Sequence, residues 1–499
     1  MESVNFHHIP TSYWKFIIKD RTNQEYLIWA LALSVFQFVI FKMLYPYPDF
    51  FSDSYWYIFA AAKHLNVNAW PIGYSKFLAI VHLMTYSDTV LTAIQYFFLQ
   101  AITMHFYFSL LYFQRTTRLT RILLFVFFFL NPITLYFCNS IGSDSMFASF
   151  SLLWFVDLVW LLKRPKIYHL YTQSLLFVVC LTLRNTAYYY PLITTLAFLI
   201  SPQPAWRKLT GICFPIFLAI PYVLYTKAEA YKMTGQTQFS LFTGWQLANN
   251  ALYIYGHIAV DSTQLPTSEA RTLNRLAAAF YLQSDSAKNL FFNSPYEGNK
   301  FISLPESPLK QYFATYYRYN TDLDIIRSWG RASYAFVPFG RSIIYRHPFA
   351  YIHYFVWPNL GNYLLPPLSN LARYNGGHHL IPDLAQSWFH FPQKKVSVTS
   401  FSLQSFLEIY PFIFLMINIF FFMQLAIGIA QQKWSFHSLT SQEIYVILAS
   451  YWLANLTFSV FITINIFRYQ YTPMLILFAA SLLMSQHVIE KPVKESFSE

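Results

Sequence analysis

Three carboxylates stand at the edges of apolar stretches, where a side chain can meet both lipid and water. Asp49 and Asp53 follow the first long apolar stretch, and Asp144 opens a later one. A carboxylate in such a place can act as a general base that accepts a proton from a hydroxyl group. We assign this role to Asp53, with Asp49 and Asp144 as auxiliary acids. The alternative for Asp53 and Asp144 is structural, as helix caps or partners of a helix dipole, and Asp49 is otherwise a solvated carboxylate.

Two arginines and one lysine offer a complementary chemistry. Arg184 and Arg468 lie near the ends of apolar stretches, and Lys76 follows a Trp-Pro-Ile-Gly-Tyr-Ser turn at 70–75. A guanidinium group binds phosphate through two parallel hydrogen bonds. We therefore predict that these cations contact a phosphate group of the substrate. The alternatives are arginines that extend to lipid headgroups and a lysine solvated at the interface.

Tyrosines accompany these charged residues. Tyr57 follows Asp53 by four positions, Tyr74 lies within the turn at 70–75, and Tyr469 follows Arg468 directly. We expect the three tyrosines to contact the substrate. Asp157, inside an apolar stretch, is instead expected to be a buried, hydrogen-bonded group rather than a catalyst.

Composition places these residues in a membrane protein. The chain is 56% hydrophobic and only 11% charged, whereas a soluble protein carries about 25% charged residues. Because hydrocarbon disfavours charge but accepts Leu and Phe, a lipid-facing surface explains the deficit. The net charge of +12 resides largely in short connections between apolar stretches, so it favours membrane orientation over nucleic-acid binding.

No cofactor or metal site is predicted. Cys138, Cys180 and Cys213 lie in or beside apolar stretches, without a Cys-x-x-Cys pair or a histidine at ligand spacing. They are therefore expected to be small core residues. Paired carboxylates can hold a divalent cation, but no ligand-dense motif supports one here.

Apolar stretches of the length that crosses a bilayer recur along the chain. Since a spanning helix needs roughly 20 apolar residues, we predict about ten spans. The longer ones are 26–46, 88–113, 122–138, 145–163, 208–228, 404–429, 444–466 and 471–487, and the shorter ones are 168–184 and 187–201. The predicted fold class is an all-α integral membrane protein, built as a multi-span helical bundle.

Basic residues in alternate connections orient this bundle. With both termini in the cytoplasm, the cytoplasmic segments carry Lys15, Lys19 and Arg21; Arg115, Arg118 and Arg121; Lys163, Arg164 and Lys166; Arg207 and Lys208; Lys433; and Lys491 and Lys494. This distribution follows the positive-inside rule. The candidate carboxylates and arginines then share the outer face of the membrane, and their convergence is the reason to predict a site there.

The chain is accordingly divided into three parts. Residues 1–228 form an N-terminal transmembrane catalytic module, which includes a first outer loop at 47–87. Residues 229–402 form a large outer segment, and 403–499 supply the C-terminal transmembrane helices.

Helices are predicted in both outer regions. In the first outer loop, 54–65 and 74–84 are short and rich in aromatic residues, which is typical of helices that lie along the membrane interface. In the outer segment, 268–293 and 307–334 are predicted to be mostly helical, and the proline-rich stretch 335–402 is predicted to be irregular.

Several short motifs in this order resemble one enzyme superfamily. They are Asp-Ser-Tyr-Trp-Tyr at 53–57, Pro-Ile-Gly-Tyr-Ser at 71–75, Gly-Ser-Asp-Ser at 142–145, Leu-Arg-Asn at 183–185 and Phe-Arg-Tyr at 467–469. Together they are similar to motifs of the GT-C glycosyltransferases, especially the branch of the protein O-mannosyltransferases and the lipid A aminoarabinose transferases.

This resemblance implies a GT-C-like fold and a specific reaction. The enzyme would move a sugar from a polyprenyl-phosphate donor to the hydroxyl of a glycan, lipid or protein acceptor, with inversion at the anomeric carbon. The reaction would take place at the outer face of the inner (plasma) membrane, with Asp53 in the position of the family's catalytic base. Consistent with a lipid-linked donor, the sequence has no glycine-rich nucleotide-binding motif.

Two other classes of function remain open. The first is a transporter or flippase of a lipid-linked saccharide, which typically places polar residues near the bilayer midplane and often has repeated halves. The second is a non-catalytic assembly protein. The grouping of acids at one face and the lack of a visible repeat favour the glycosyltransferase.

Overall fold

The computed structural model describes residues 12–282, 298–400, 403–430 and 439–490. Helices dominate this part of the chain, and its only extended pairings are two isolated β-bridges. The predictions made for Lys433, Lys491 and Lys494, and for residues 283–293 of one predicted helix, lie outside the described residues.

Helices follow one another through short connections along the first half of the chain. They are α1 (Tyr13–Lys19), α2 (Arg21–Leu44), α3 (Ser52–Ala62), α4 (Gly73–Met84), α5 (Asp88–Phe113), α6 (Arg118–Phe129), α7 (Ile133–Asn139), α8 (Asp144–Lys163), α9 (Tyr168–Leu183), α10 (Tyr190–Ile200) and α11 (Ala205–Thr234).

The second half continues in the same way, with shorter helices and several 3₁₀ turns. Its α-helices are α12 (Thr243–Tyr255), α13 (Ser268–Leu282), α14 (Lys300–Ser303), α15 (Pro308–Tyr316), α16 (Asp322–Arg346), α17 (Pro348–Tyr351), α18 (Trp357–Leu364), α19 (Asp383–Phe389), α20 (Tyr410–Ala430), α21 (Leu439–Phe461) and α22 (Tyr471–Glu490).

Six helices of the described chain are long and apolar enough to cross a membrane. They are Arg21–Leu44, Arg118–Asn139 (α6 and α7 taken together), Asp144–Lys163, Ala205–Thr234, Leu403–Gly428 (α20 with the 3₁₀ turn before it) and Glu443–Phe461. Two further apolar helices, Tyr168–Leu183 and Tyr471–Gln486, are shorter. These helices confirm the prediction of an all-α, multi-pass membrane protein, although fewer of them meet both requirements than the sequence suggested.

Two predicted spans show why the number differs. Helix α5 is 26 residues long, but the buried polar side chains of Thr92, Gln95 and Gln100 make it less apolar. The stretch predicted at 187–201 is an α-helix over only 11 residues. Pro191 stands in its first turn, a position that suits the fixed proline backbone, and a 3₁₀ turn precedes it.

Two hydrophobic cores organise the molecule. The first combines the membrane helices with residues 368–398. The second is formed by α12, α13, α15 and α16 together with Phe59 and Val67 of the 47–87 loop. The segment 229–402 is therefore divided between the two cores.

Of the cysteines, Cys138 and Cys180 are buried as expected, but Cys213 is exposed, because α11 buries little of its surface.

Short helices in the 47–87 loop match the prediction to within a few residues, since α3 and α4 replace the predicted 54–65 and 74–84. The prediction of an irregular chain after residue 334 was wrong. Helix α16 continues to Arg346 with Pro338 inside it. A proline removes one hydrogen bond from a helix, but Phe336, Phe339 and Ile343 of this helix are buried in the second core. Their packing holds the helix together.

Helices α12 and α16 approach each other very closely. A Cβ atom added to Gly244 would lie 1.6 Å from the carbonyl oxygen of Ser333, and one added to Gly340 would lie 2.5 Å from the carbonyl carbon of Leu247. The backbone N–H of Gly244 donates a 3.0 Å hydrogen bond to the hydroxyl of Ser333. The second core therefore depends on glycine at these contacts.

Replacing Gly244 by alanine should destabilise the second core. The new methyl group has to displace backbone atoms, and overpacking of this kind costs about 1–3 kcal/mol. The measurement is thermal unfolding of the purified protein in detergent. Gly361→Ala is the matched control, because Gly361 lies within α18 and has no other atom within 4 Å of an added Cβ. That variant should be unchanged or up to about 1 kcal/mol more stable, and equal effects of both substitutions would contradict the close packing.

Candidate functional site

A short backbone pairing brings two loops together at one end of the membrane helices. Asp49 and Ser140 form a parallel β-bridge, in which the N–H of Asp49 donates to the carbonyl of Asn139 at 2.9 Å and the N–H of Ile141 donates to the carbonyl of Asp49 at 3.0 Å. The hydroxyl of Ser54 adds a hydrogen bond to the carbonyl of Ile141. Consequently, the beginnings of α3 and α8 lie side by side.

Four charged side chains meet at this place, and we call them the charged cluster: Asp53, Asp144, Arg184 and Arg468. Arg468 donates through Nη2 to Oδ2 of Asp53 and through Nη1 to Oδ2 of Asp144, both at 2.9 Å. Arg184 forms an ion pair with Oδ1 of Asp144. The carboxylates and guanidinium groups thus alternate in a chain, and residues that are far apart in the sequence share one site.

Helix ends position each member of the charged cluster. Asp53 is the second residue of α3 and Asp144 is the first of α8, so both carboxylates sit where the helix dipole favours negative charge. Arg184 directly follows α9, where positive charge is favoured. Neither carboxylate is a helix cap, because Phe51 and Ser143 occupy the N-cap positions. The capping alternative for the two acids is therefore wrong.

Burial differs along the charged cluster. The side chains of Asp144 and Arg468 are 3% and 7% exposed, whereas those of Arg184 and Asp53 are 16% and 22% exposed. Burial alone would lower the pKa of Arg468, but Tyr469 and Asp53 more than offset this and raise it. The inner pair is a fixed structural element, and the outer two groups are the ones that a bound molecule can reach.

Aromatic rings surround the guanidinium groups. Arg184 lies 3.8 Å from the ring centre of Tyr469, and Arg468 lies 5.2 Å from that of Phe51. The hydroxyl of Tyr57 is 3.0 Å from that of Ser143, and burial followed by the nearby Asp53 raises the pKa of Tyr57. The structure therefore brings Tyr57 and Tyr469 to the charged cluster as expected. Phe51 was missed, since nothing in its local sequence marks it as functional, whereas Ser143 belongs to the Gly-Ser-Asp-Ser motif and occupies the N-cap position of α8.

Two predicted substrate contacts have other partners. Tyr74 is fully buried, and its hydroxyl donates to the side-chain oxygen of Gln95 at 2.6 Å. The amino group of Lys76 donates to the side chain of Asn66 at 2.8 Å, which in turn binds Glu229. In the described part of the chain, Tyr74 thus supports the fold behind Tyr57, and Lys76 belongs to a polar group beside α11.

The carboxylate of Asp49 is buried against the protein backbone and does not face an open site. Its carboxylate is 2% exposed, and Oδ1 accepts a 2.7 Å hydrogen bond from the backbone N–H of Asn375. The neighbouring hydroxyl of Tyr374 donates to the carbonyl of Pro48. Burial raises the pKa of Asp49 from 3.8 to about 7. Asp49 therefore fastens the turn at 374–377 to the 47–87 loop, and this closed environment does not fit the auxiliary catalytic role that the sequence suggested.

Asp157 behaves as the sequence suggested. Its carboxylate accepts hydrogen bonds from Thr172 at 2.7 Å and Gln173 at 3.0 Å, and it lies 2.6 Å from Nδ1 of His169. Thirteen residues of α8 separate it from Asp144, which corresponds to about 20 Å along the helix axis. Asp157 is hydrogen-bonded as expected but only partly buried, at 13% exposure, and this polar group is distinct from the charged cluster.

The charged cluster offers specific chemistry. A partly exposed carboxylate can accept a proton, and a partly exposed arginine can bind a phosphate oxygen. Within the described residues, no group of three His, Cys, Asp or Glu side chains is arranged to hold a metal ion.

Comparisons with protein-family models, with curated proteins and with solved structures found no match.

Removing one member of the buried pair should destabilise the protein strongly. Asp144→Asn leaves two arginines beside a neutral group, and breaking a buried ion pair costs about 3–5 kcal/mol. Asp53→Asn removes a carboxylate at the more exposed end, so its cost should be about 1 kcal/mol or less. Thermal unfolding of both variants in the same detergent compares them directly. Equal losses would contradict the gradient of burial along the charged cluster.

Asp49 should make stability depend on pH. Its raised pKa means that the folded protein binds a proton more tightly than the unfolded chain does. The stabilisation is therefore present below about pH 4 and is lost as the pH rises through about 7, with a total size of about 4 kcal/mol. Asp49→Asn keeps an oxygen acceptor for Asn375 and should remove this slope when unfolding is measured from pH 4 to 8.

The exposed Asp383 provides the control for this measurement. Asp383→Asn should keep the pH dependence of the unmodified protein. If Asp49→Asn also kept it, the buried carboxyl group would not be its source.

Proposed function

We propose that this protein is an inverting glycosyltransferase that moves a sugar from a polyprenyl-phosphate donor to an acceptor hydroxyl. The observation that carries the proposal is that one site at the end of the membrane helices holds a partly exposed carboxylate, Asp53, and a partly exposed arginine, Arg184, joined through Arg468 and Asp144. The order of sequence motifs that resembles the GT-C glycosyltransferases supports the same reaction. We place the site at the outer face of the plasma membrane, with both termini in the cytoplasm.

Asp53 is the general base in this mechanism. It is the more exposed of the two carboxylates in the charged cluster, and Arg468 holds it through Oδ2. Its carboxylate takes the proton of the acceptor hydroxyl, and the acceptor oxygen forms a bond to the anomeric carbon. The bond from that carbon to the phosphate oxygen breaks on the opposite side, and its electron pair leaves with polyprenyl phosphate. The attack from the opposite side inverts the anomeric configuration.

Arg184 is the residue that we assign to the leaving phosphate. Arg468 was predicted to contact the phosphate as well, but both carboxylates already use its guanidinium and it is 7% exposed. Arg184 is more exposed, pairs with Asp144 alone among the carboxylates of the charged cluster, and lies 3.8 Å from the ring centre of Tyr469. During the reaction one negative charge moves from Asp53 to the phosphate. Arginines next to both groups stabilise the charge before and after transfer.

Transport of a lipid-linked saccharide is the second candidate. It is favoured by the polar group around Asp157 and His169, because ionisable residues within membrane helices commonly mark a transport path. A liposome assay with purified protein separates the candidates. The glycosyltransferase releases polyprenyl phosphate and labels the acceptor, whereas a flippase moves the intact lipid between leaflets.

Asp53→Asn should reduce sugar transfer by at least about 100-fold, since loss of a general base typically costs that much. Folding should be retained, as judged by gel filtration and thermal unfolding. The assay measures transfer from polyprenyl-phosphate sugars extracted from cells that lack the protein, where the true donor should accumulate. Asp322→Asn is the matched control, because Asp322 is also a carboxylate in the first turn of a helix and is exposed. Normal turnover by the Asp53 variant would refute the mechanism.

A further inference from the structure

A second feature of the molecule is a cavity of about 290 Å³ between α3, α4 and α19. It lies at the end of α3 opposite to the charged cluster. Asp53 and Ala62, which lines the cavity, are separated by about 14 Å along the helix axis. The cavity is therefore a separate site on the helix that carries the proposed base.

Small side chains create this space. Ala61 and Ala62 of α3 face Ala79 of α4, and Leu83 and Leu384 complete the apolar part of the wall. The polar groups are His64, His82 and Ser387. Among the described residues that line the cavity there is no Asp, Glu, Lys or Arg. An apolar wall with a few neutral polar groups suits an uncharged ligand better than a phosphate or a carboxylate.

Stacked aromatic rings form one side of the cavity. The ring of His82 lies 3.7 Å from that of Trp388, at an interplanar angle of 18°. Tyr86 contacts His82 at its edge and stacks on His390 at 4.1 Å. Burial lowers the pKa of His82, and His390 lowers it further. A neutral imidazole offers one donor and one acceptor, which is the combination that a hydroxyl group can use.

Two histidines near the cavity have a left-handed backbone. His64 follows the end of α3 with φ of 51°, and His390 follows α19 with φ of 54°. Glycine is the residue that such positions favour at the end of a helix. The turns alone therefore do not account for imidazole groups at both places.

We propose that this cavity binds a neutral sugar residue of the acceptor glycan. A sugar ring has an apolar face of C–H groups and a rim of hydroxyls. The apolar face matches the alanines and the Trp388 ring, and the hydroxyls match His64, His82 and Ser387. The residues that line the cavity support the binding of a neutral sugar, whereas the role of that sugar as part of the acceptor rests on the proposed glycosyltransferase function.

The test is direct binding to the purified full-length protein in nanodiscs. The probes are neutral oligosaccharides of glucose, mannose, galactose and N-acetylglucosamine, and saturation-transfer NMR and native mass spectrometry detect binding. Ala79→Phe fills the cavity and should weaken binding by at least tenfold. Ala101→Phe, at an exposed position of α5, makes the same change away from the cavity and should bind normally. Ser387→Leu, an exposed change at the rim, should also weaken binding and serves if Ala79→Phe fails to fold.

Two results would overturn the proposal. One is that none of the neutral oligosaccharides binds. The other is that both the filled and the rim variants bind as tightly as the control. If short-chain phosphatidylglycerol binds the unmodified protein, is lost in Ala79→Phe, and no sugar binds, the cavity is a lipid site and the proposal is wrong.

Asp53→Asn separates this inference from the proposed function. It should abolish sugar transfer but leave oligosaccharide binding intact, because Asp53 lies at the other end of α3. Normal transfer with intact binding would refute the catalytic role and leave a sugar-binding cavity. Lost transfer with no sugar binding to the unmodified protein would refute the cavity and leave the catalytic role.

Discussion

The rest of the site depends on one guanidinium group that holds two carboxylates. Arg468 binds Asp53 and Asp144 at the same distance and is itself buried. Buried charges are costly unless all of them are paired, so this arrangement is stable only when α3, α8 and the turn before α22 lie together. The arginine, near the end of the chain, thereby connects two helices of its first third. The same contact fixes the position of Asp53, the more exposed of the two carboxylates.

Backbone pairing and a buried acid support this arrangement from the side. The bridge between Asp49 and Ser140 aligns the starts of α3 and α8, and the carboxyl group of Asp49 fastens residues 374–377 against the same loop. Thus Asp49, expected to assist catalysis, serves the structure beneath the site. Asp49 and Asp53 differ in their surroundings. The carboxylate of Asp49 is buried against a turn, whereas that of Asp53 is partly exposed at the start of a helix. Their burial, not their residue type, separates the two roles.

Much of this architecture could be predicted from the sequence, because long apolar stretches indicate membrane helices. The short helices α3 and α4 were predicted from their length and aromatic residues, and the structure brings together the four charged residues that the sequence had predicted to share one face of the membrane, Asp53, Asp144, Arg184 and Arg468. What the sequence could not reveal was which cation met which acid, since ion pairing depends on side-chain distances of a few ångströms. Phe51 was not identified for the same reason, because its contact with Arg468 exists only in the folded structure. The continuation of α16 through Pro338 was missed because tertiary packing overrode a local helix breaker.

The proposed function requires the charged cluster to receive the phosphate of a lipid-linked sugar. A cryo-electron microscopy structure of the protein in nanodiscs with polyprenyl phosphate can show whether it does. We expect density for the phosphate within hydrogen-bonding distance of Arg184, on the side that faces Asp53, with Arg468 still bound to Asp144. A phosphate bound elsewhere, with Arg184 and Asp144 still paired and no lipid near them, would refute this assignment.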